Sequence, residues 1–247
     1  MPGRRAAAES PGMTFTFPGP WLGGVSLITG PLLLLAGSVL RLGVPFFYPD
    51  QLDAHQRQPL LWGTAYALFL LGTVMLWPGV VTVAVRVGAT RPGWAVWGGA
   101  LVMFGLFARA FHYGVNTFAF SLAGSHGVPV AQQAVGAYYR YPEWVVSSLS
   151  LPVMAGWIVL AAGCYLSGTL RLPYAIALAL MSGLMIGVLK GSTWASVVQV
   201  AGLAVALVPL GVAILREAAR PSRRAVLRTV PLLVLAVAGS VVLGRLG

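Results

Sequence analysis

Trp21-Leu-Gly-Gly-Val-Ser-Leu-Ile-Thr-Gly-Pro-Leu-Leu-Leu-Leu-Ala-Gly-Ser-Val-Leu-Arg-Leu42 is a run of 22 residues in which Arg41 is the only charge. A helix of this composition has no polar face to turn toward water. About 20 apolar residues at 1.5 Å each do, however, match the hydrocarbon thickness of a bilayer. The run is too long for a signal-peptide core, so it reads as an uncleaved first span.

Six further runs extend the pattern outward: Pro59 to Val85, Trp94 to about Val115, Glu143 to Ser167, Leu172 to Leu189, Trp194 to Leu215 and Ala225 to Gly244. They predict an all-α, polytopic helical membrane bundle of seven transmembrane helices. Residues 21–247 form one domain, and the polar, Pro/Gly-rich residues 1–20 form a flexible cytoplasmic tail. Composition agrees: the chain is 58% hydrophobic and 9% charged, against about 25% charged in a soluble domain. No water-soluble fold of this size covers so much apolar surface.

The formal net charge of +11 does not indicate a nucleic-acid partner, because the basic residues punctuate the apolar runs instead of gathering on one face. Arg4, Arg5, Arg86, Arg91, Arg171, Arg216, Arg220, Arg223 and Arg224 fall in one alternating set of connections. Arg57, Arg140, Lys190 and Arg245 fall in the other, with Arg41 at a helix end. Positive-inside bias then places the N-terminus inside and the C-terminus outside. The Arg-rich, Ala- and Gly-rich composition points to a bacterial plasma membrane. Trp62, Trp144 and Trp194 open spans on the outer side and Trp21 and Trp94 on the inner side, as interfacial anchors do. Gly183, Gly187 and Gly191 repeat every fourth residue, which on a helix makes a flat strip for a close neighbour.

The third run carries the polar residues with the most chemical content. Arg109, His112 and Asn116 recur at three- and four-residue intervals and share a helical face. Counted from an outer end near residue 115, Arg109 lies about 9 Å deep. One reading makes these residues structural, with Arg109 snorkelling to headgroups and His112 bonding a neighbouring helix. The other makes them a site, since ionisable groups within spans mark substrate or ion paths. Glu143 begins the next run on the same side, where it can orient His112, the group whose ordinary pKa permits proton exchange near neutrality.

The expected site is an outward-facing pocket ringed by Arg109, His112, Asn116, Glu143, Gln199 and Tyr66. It takes a lipophilic or amphipathic small molecule, as in transport, immunity or sensing, with Arg109 on an anionic or carbonyl head. The alternative is a membrane-embedded enzyme in which His112 and Glu143 move protons on a lipid or isoprenoid. The expected partners are membrane lipids and that ligand.

No cofactor is expected. The single lysine, Lys190, lies at the outer end of the fifth run and not in the seventh, where a retinal Schiff base requires it, and only one histidine falls within a span, whereas a membrane haem takes two. Asp50, Asp53 and His55 match no metal spacing, and Asp50 and Asp53 read as turn residues beside Pro49. The loop 117–142 is the longest connection, with Val128 to Tyr139 as a short interfacial helix. Cys164 is a small packing residue. No P-loop, Ser-x-x-Lys, His-Glu-x-x-His or Gly-x-Ser-x-Gly pattern occurs.

Overall fold

The structure is a computed structural model that describes residues 17–142 and 144–219, together with positions 227, 231, 232, 235 and 238–240. The chain divides into two compact units, 1–216 and 217–247. In the second, the described positions between 227 and 240 are helical, and Leu227, Leu232 and Leu235 are exposed. Most of the expected seventh span, the Arg cluster at 220–224 and most of the expected tail lie outside the described residues.

Among the described residues the fold is all-helical: α1 Gly19–Val39, α2 Tyr48–Arg57, α3 Pro59–Gly88, α4 Pro92–His126, α5 Val128–Arg140, α6 Val145–Ser148, α7 Ser150–Leu166, α8 Leu172–Ala179, a 3₁₀ turn Leu180–Gly183, and α9 Trp194–Glu217. Among the described residues five segments are long and apolar enough to cross a membrane: α1, α3, α4, α6 with α7, and α9. Phe104, Phe107, Phe111 and Phe118 on α4 and Leu71 and Val74 on α3 are exposed, as lipid-facing side chains are in a multi-pass membrane protein.

Close helix contacts are set by glycine. A Cβ on Gly98 of α4 would lie 2.8 Å from Leu160 Cα of α7, and one on Gly156 of α7 would lie 2.7 Å from Val102 N of α4. Backbones that approach this closely gain dispersion contact where no hydrophobic force drives association. Trp157, the mid-span tryptophan, is fully buried beside this seam among Val102, Leu106, Val153 and Leu160.

Three expectations are corrected. The third span does not end near Val115. No proline follows until Pro129, so α4 runs on until Gly127 at φ 88 ends it, with the Thr117 and Ser125 hydroxyls turned back onto Tyr113 O and Ser121 O at 3.0 and 2.8 Å. Its 35 residues span about 52 Å, and Arg109 is at its midpoint, so the 9 Å depth loses its starting point. Much of the supposed loop 117–142 is thus α4 and α5. Residues 48–57 likewise form a helix, not a turn, with Pro49 in its first turn.

The third correction concerns the fifth expected span. Leu172–Ala179 is helical, but the chain then tightens to 3₁₀ and is non-helical from Leu184 to Thr193. Gly183, Gly187 and Gly191 therefore do not form a helical strip. Each glycine costs a helix about 1 kcal/mol relative to alanine, which weakens the helix where other hydrogen bonds compete. Gly187 sits at φ 154 and Leu189, a non-glycine residue, at φ 50.

Candidate functional site

A buried, unwound backbone must find partners for each amide and carbonyl, because no water in the hydrocarbon layer supplies them. Six backbone groups of the segment 184–191 find them on other elements. Arg109 of α4 donates to Leu184 O at 2.6 Å and to Met185 O at 3.3 Å. Tyr139 of α5 donates to Val188 O at 2.7 Å, and Asn116 Oδ1 accepts the Leu189 amide at 2.7 Å. Arg41, just past α1, donates through Nη1 to Lys190 O at 3.0 Å and through Nε to Gly37 O. The Gly191 amide donates to Phe46 O at 2.8 Å.

Gln51 of α2 joins these elements. Its side chain is fully buried; Nε2 donates to Pro45 O at 2.8 Å, and Oε1 accepts from Trp62 Nε1 and from the Tyr66 hydroxyl at 3.3 and 3.1 Å. Trp62 is accordingly a core residue at 4% exposure, not an interfacial anchor. Trp144 and Trp194 are strongly exposed.

These elements line a partly open cavity of about 50 Å³ between α1, α3, α4 and the unwound segment. Arg41, Arg109 and Lys190 all line it, together with Tyr66, His112 and Asn116. Arg41 and Arg109 are 5% and 8% exposed. Among the described residues no carboxylate pairs with either, and none lines the cavity. Their partners are neutral carbonyls and, for Arg41, the faces of Tyr66 and Phe69 at 4.8 and 4.5 Å. The Lys190 ammonium lies within 5.4 Å of the rings of Phe46, Phe47 and Tyr139.

His112 Nδ1 lies 2.7 Å from Ala108 O. A carbonyl can only accept, so Nδ1 carries the proton of this bond, and in a neutral ring the basic nitrogen is Nε2.

Of the site residues read from sequence, Arg109, His112, Asn116 and Tyr66 line one cavity. Gln199 does not: it is half-buried and packs over Gly183, filling the space a Cβ would need there. Glu143 lies outside the described residues. Sequence reasoning missed Arg41, Gln51, Ser38, Ser192 and Tyr139. Arg41 carried a legible signal as the one charge in the first apolar run. Gln51 carried none, because a glutamine in a short polar stretch is ordinary until α2 folds it into the bundle.

The loop carboxylates and His55 do not gather. His55 stacks on Phe120 at 4.0 Å, and among the described residues no group of three His, Cys, Asp or Glu side chains is placed to hold a metal ion.

The fold and cavity define a multi-pass helical membrane protein with a buried cationic pocket at a broken helix. No family model, curated protein or solved structure matches the chain, so its function is argued from its own residues.

Proposed function

We propose that this protein binds the polar head of a lipophilic or amphipathic small molecule within the membrane, as part of transport, immunity or sensing. Two buried guanidiniums without a carboxylate among the described residues carry this reading, because a buried charge normally requires a compensating one. A cavity of about 50 Å³ is far below the roughly 300–1,000 Å³ that encloses a whole ligand. The head alone enters, and the apolar remainder lies along lipid-facing helix surfaces. The topology that goes with this reading has seven spans, the N-terminus inside a bacterial plasma membrane, and the pocket facing outward.

A photoactivatable single-chain amphiphile, labelled near its head and added to the full chain in membranes, tests the reading. Adducts on Tyr113 or on the buried Leu184, which line the cavity, are expected. Adducts confined to the exposed Phe104 and Phe107 would show only bulk lipid and defeat it.

The His112 tautomer favours a second reading, an enzyme working on a lipid or isoprenoid by acid/base chemistry at His112 and Glu143. Held by Ala108 O through Nδ1, a neutral ring keeps its basic nitrogen at Nε2, the atom acid/base chemistry would use. This reading requires the two residues to interact. In a double-mutant cycle on thermal stability, His112→Ala and Glu143→Ala then depart from additivity by at least about 0.5 kcal/mol; simple additivity removes it.

A further inference from the structure

We infer that the pocket is an oxyanion site for a phosphate monoester group, held by Arg41, Arg109, Ser38, Ser192 and Lys190. The inference rests on the amphipathic-ligand reading and names the head that enters.

Three observations converge on it. The first is the set of unused donors. Among the described residues, six buried side-chain polar atoms lack a hydrogen-bond partner, and three of them, Ser38 Oγ, Ser192 Oγ and Arg109 Nε, belong to residues lining this one cavity. Native proteins leave few such atoms unpaired, and a cluster of them around a void marks where a ligand's acceptors belong. Ser38 is 0% exposed and Ser192 5%.

The second is charge. Arg41 and Arg109 bring two buried positive charges, and Lys190 a third at the cavity wall. A carboxylate head neutralises one. A phosphate monoester, dianionic above a second pKa of about 6, neutralises two. Guanidinium forks match phosphate oxygens in geometry as well as in sign.

The third is the balance of donors over acceptors. The Asn116 oxygen is occupied by Leu189 N and the Ser196 hydroxyl by Thr193 N, so what remains facing the cavity is mainly N–H and O–H. A carbonyl head offers too few lone pairs for them, whereas the three terminal oxygens of a phosphate offer enough. The cavity, at about 50 Å³, is several times the roughly 10–15 Å³ that one water needs.

The phosphate can belong to a lipid head or be free, and the test separates the sources. Purified full chain is titrated with inorganic phosphate in detergent, at ionic strength matched with chloride, and with phosphatidic acid or oleate in phosphatidylcholine nanodiscs, reading thermal unfolding. The Ser38→Ala/Ser192→Ala double variant is measured alongside. Neither hydroxyl has a protein partner to lose, so the variant folds as the parent does.

Stabilisation by phosphatidic acid, weakened at least tenfold in the double variant, is the expected result and assigns the lipid head. Stabilisation by inorganic phosphate alone, with the same loss, keeps the oxyanion site but removes the amphipathic reading beneath it. If oleate stabilises as well as phosphatidic acid, the phosphate inference falls and the amphipathic reading stands. No response to any of the three overturns both, and equal binding by parent and double variant overturns the assignment of the site.

Discussion

Asn116 Oδ1 accepts the backbone N–H of Leu189 at 2.7 Å across 73 residues of chain, and Leu189 is the one described non-glycine residue with positive φ. A side chain of α4 therefore holds a conformation that a leucine rarely adopts. Asn116→Ala leaves that buried amide without an acceptor, so a loss of about 1–3 kcal/mol is expected in thermal or denaturant unfolding of the purified protein. Asn116→Asp keeps an acceptor in place and should lose less. Parent-like melting of Asn116→Ala would mean that the Leu189 turn is held by other contacts.

Arg109 bridges Leu184 O and Met185 O, one carbonyl from each of two terminal nitrogens. A lysine ammonium is a compact donor on a flexible stem and cannot reproduce that fork. Arg109→Lys is expected to melt earlier than the parent, and Arg109→Gln earlier still. If both accumulate and melt as the parent does, Arg109 is a snorkelling anchor and the pocket loses its centre.

At the α4–α7 seam, Gly156→Ala puts a methyl 2.7 Å from Val102 N, where backbone and not a flexible side chain must yield. An overpacking cost of about 1–3 kcal/mol is expected. Gly114 on the same α4 has open space around its Cβ position, so Gly114→Ala should be neutral or gain up to about 1 kcal/mol from helix propensity. Equal effects at the two sites would contradict the seam as described.

Tyr139 gives an alkaline signature. Burial pushes its hydroxyl up to about 12, above the value near 10 of an unfolded tyrosine. A raised folded pKa means the native state holds the proton more tightly. Its contribution is complete below about pH 10 and is lost as pH rises from about 10 to 12. Tyr139→Phe should be less stable at pH 8, where the bond to Val188 O is missing, yet fall less steeply over that interval. Parallel curves for the two proteins would show that Tyr139 does not titrate with unfolding.

The topology has its own test in the Arg asymmetry. A cytoplasm-active reporter fused at Ser222 and a periplasm-active reporter fused at Gly247 should both signal. The opposite pair of results would invert the orientation, and signals from one side only would remove the last span.

Span-like helices were legible from composition because the information is local. A stretch such as Trp21 to Leu42 has no polar face and no internal breaker strong enough to stop a helix, so its own residues and the surrounding bilayer decide its form. The shared face of Arg109, His112 and Asn116 was legible for the same reason, as helical periodicity places residues three and four apart together.

The broken segment from Leu180 to Thr193 was not legible. Leucine, methionine, isoleucine and valine fill it, and its glycines repeat at helical spacing, so local sequence favours a span. What unwinds it is hydrogen bonding from Arg41, Asn116 and Arg109, 149, 73 and 75 residues away in sequence for their contacts with Lys190, Leu189 and Leu184. Hydrogen bonds made across such separations exist only after α1 and α4 have each packed against α3. The sequence by itself determined the helices, their apolar surfaces and the polar stripe of α4. Tertiary structure alone decided that this stripe clasps an unwound chain around a cationic cavity, because the donors and the carbonyls they satisfy meet nowhere but in the folded bundle.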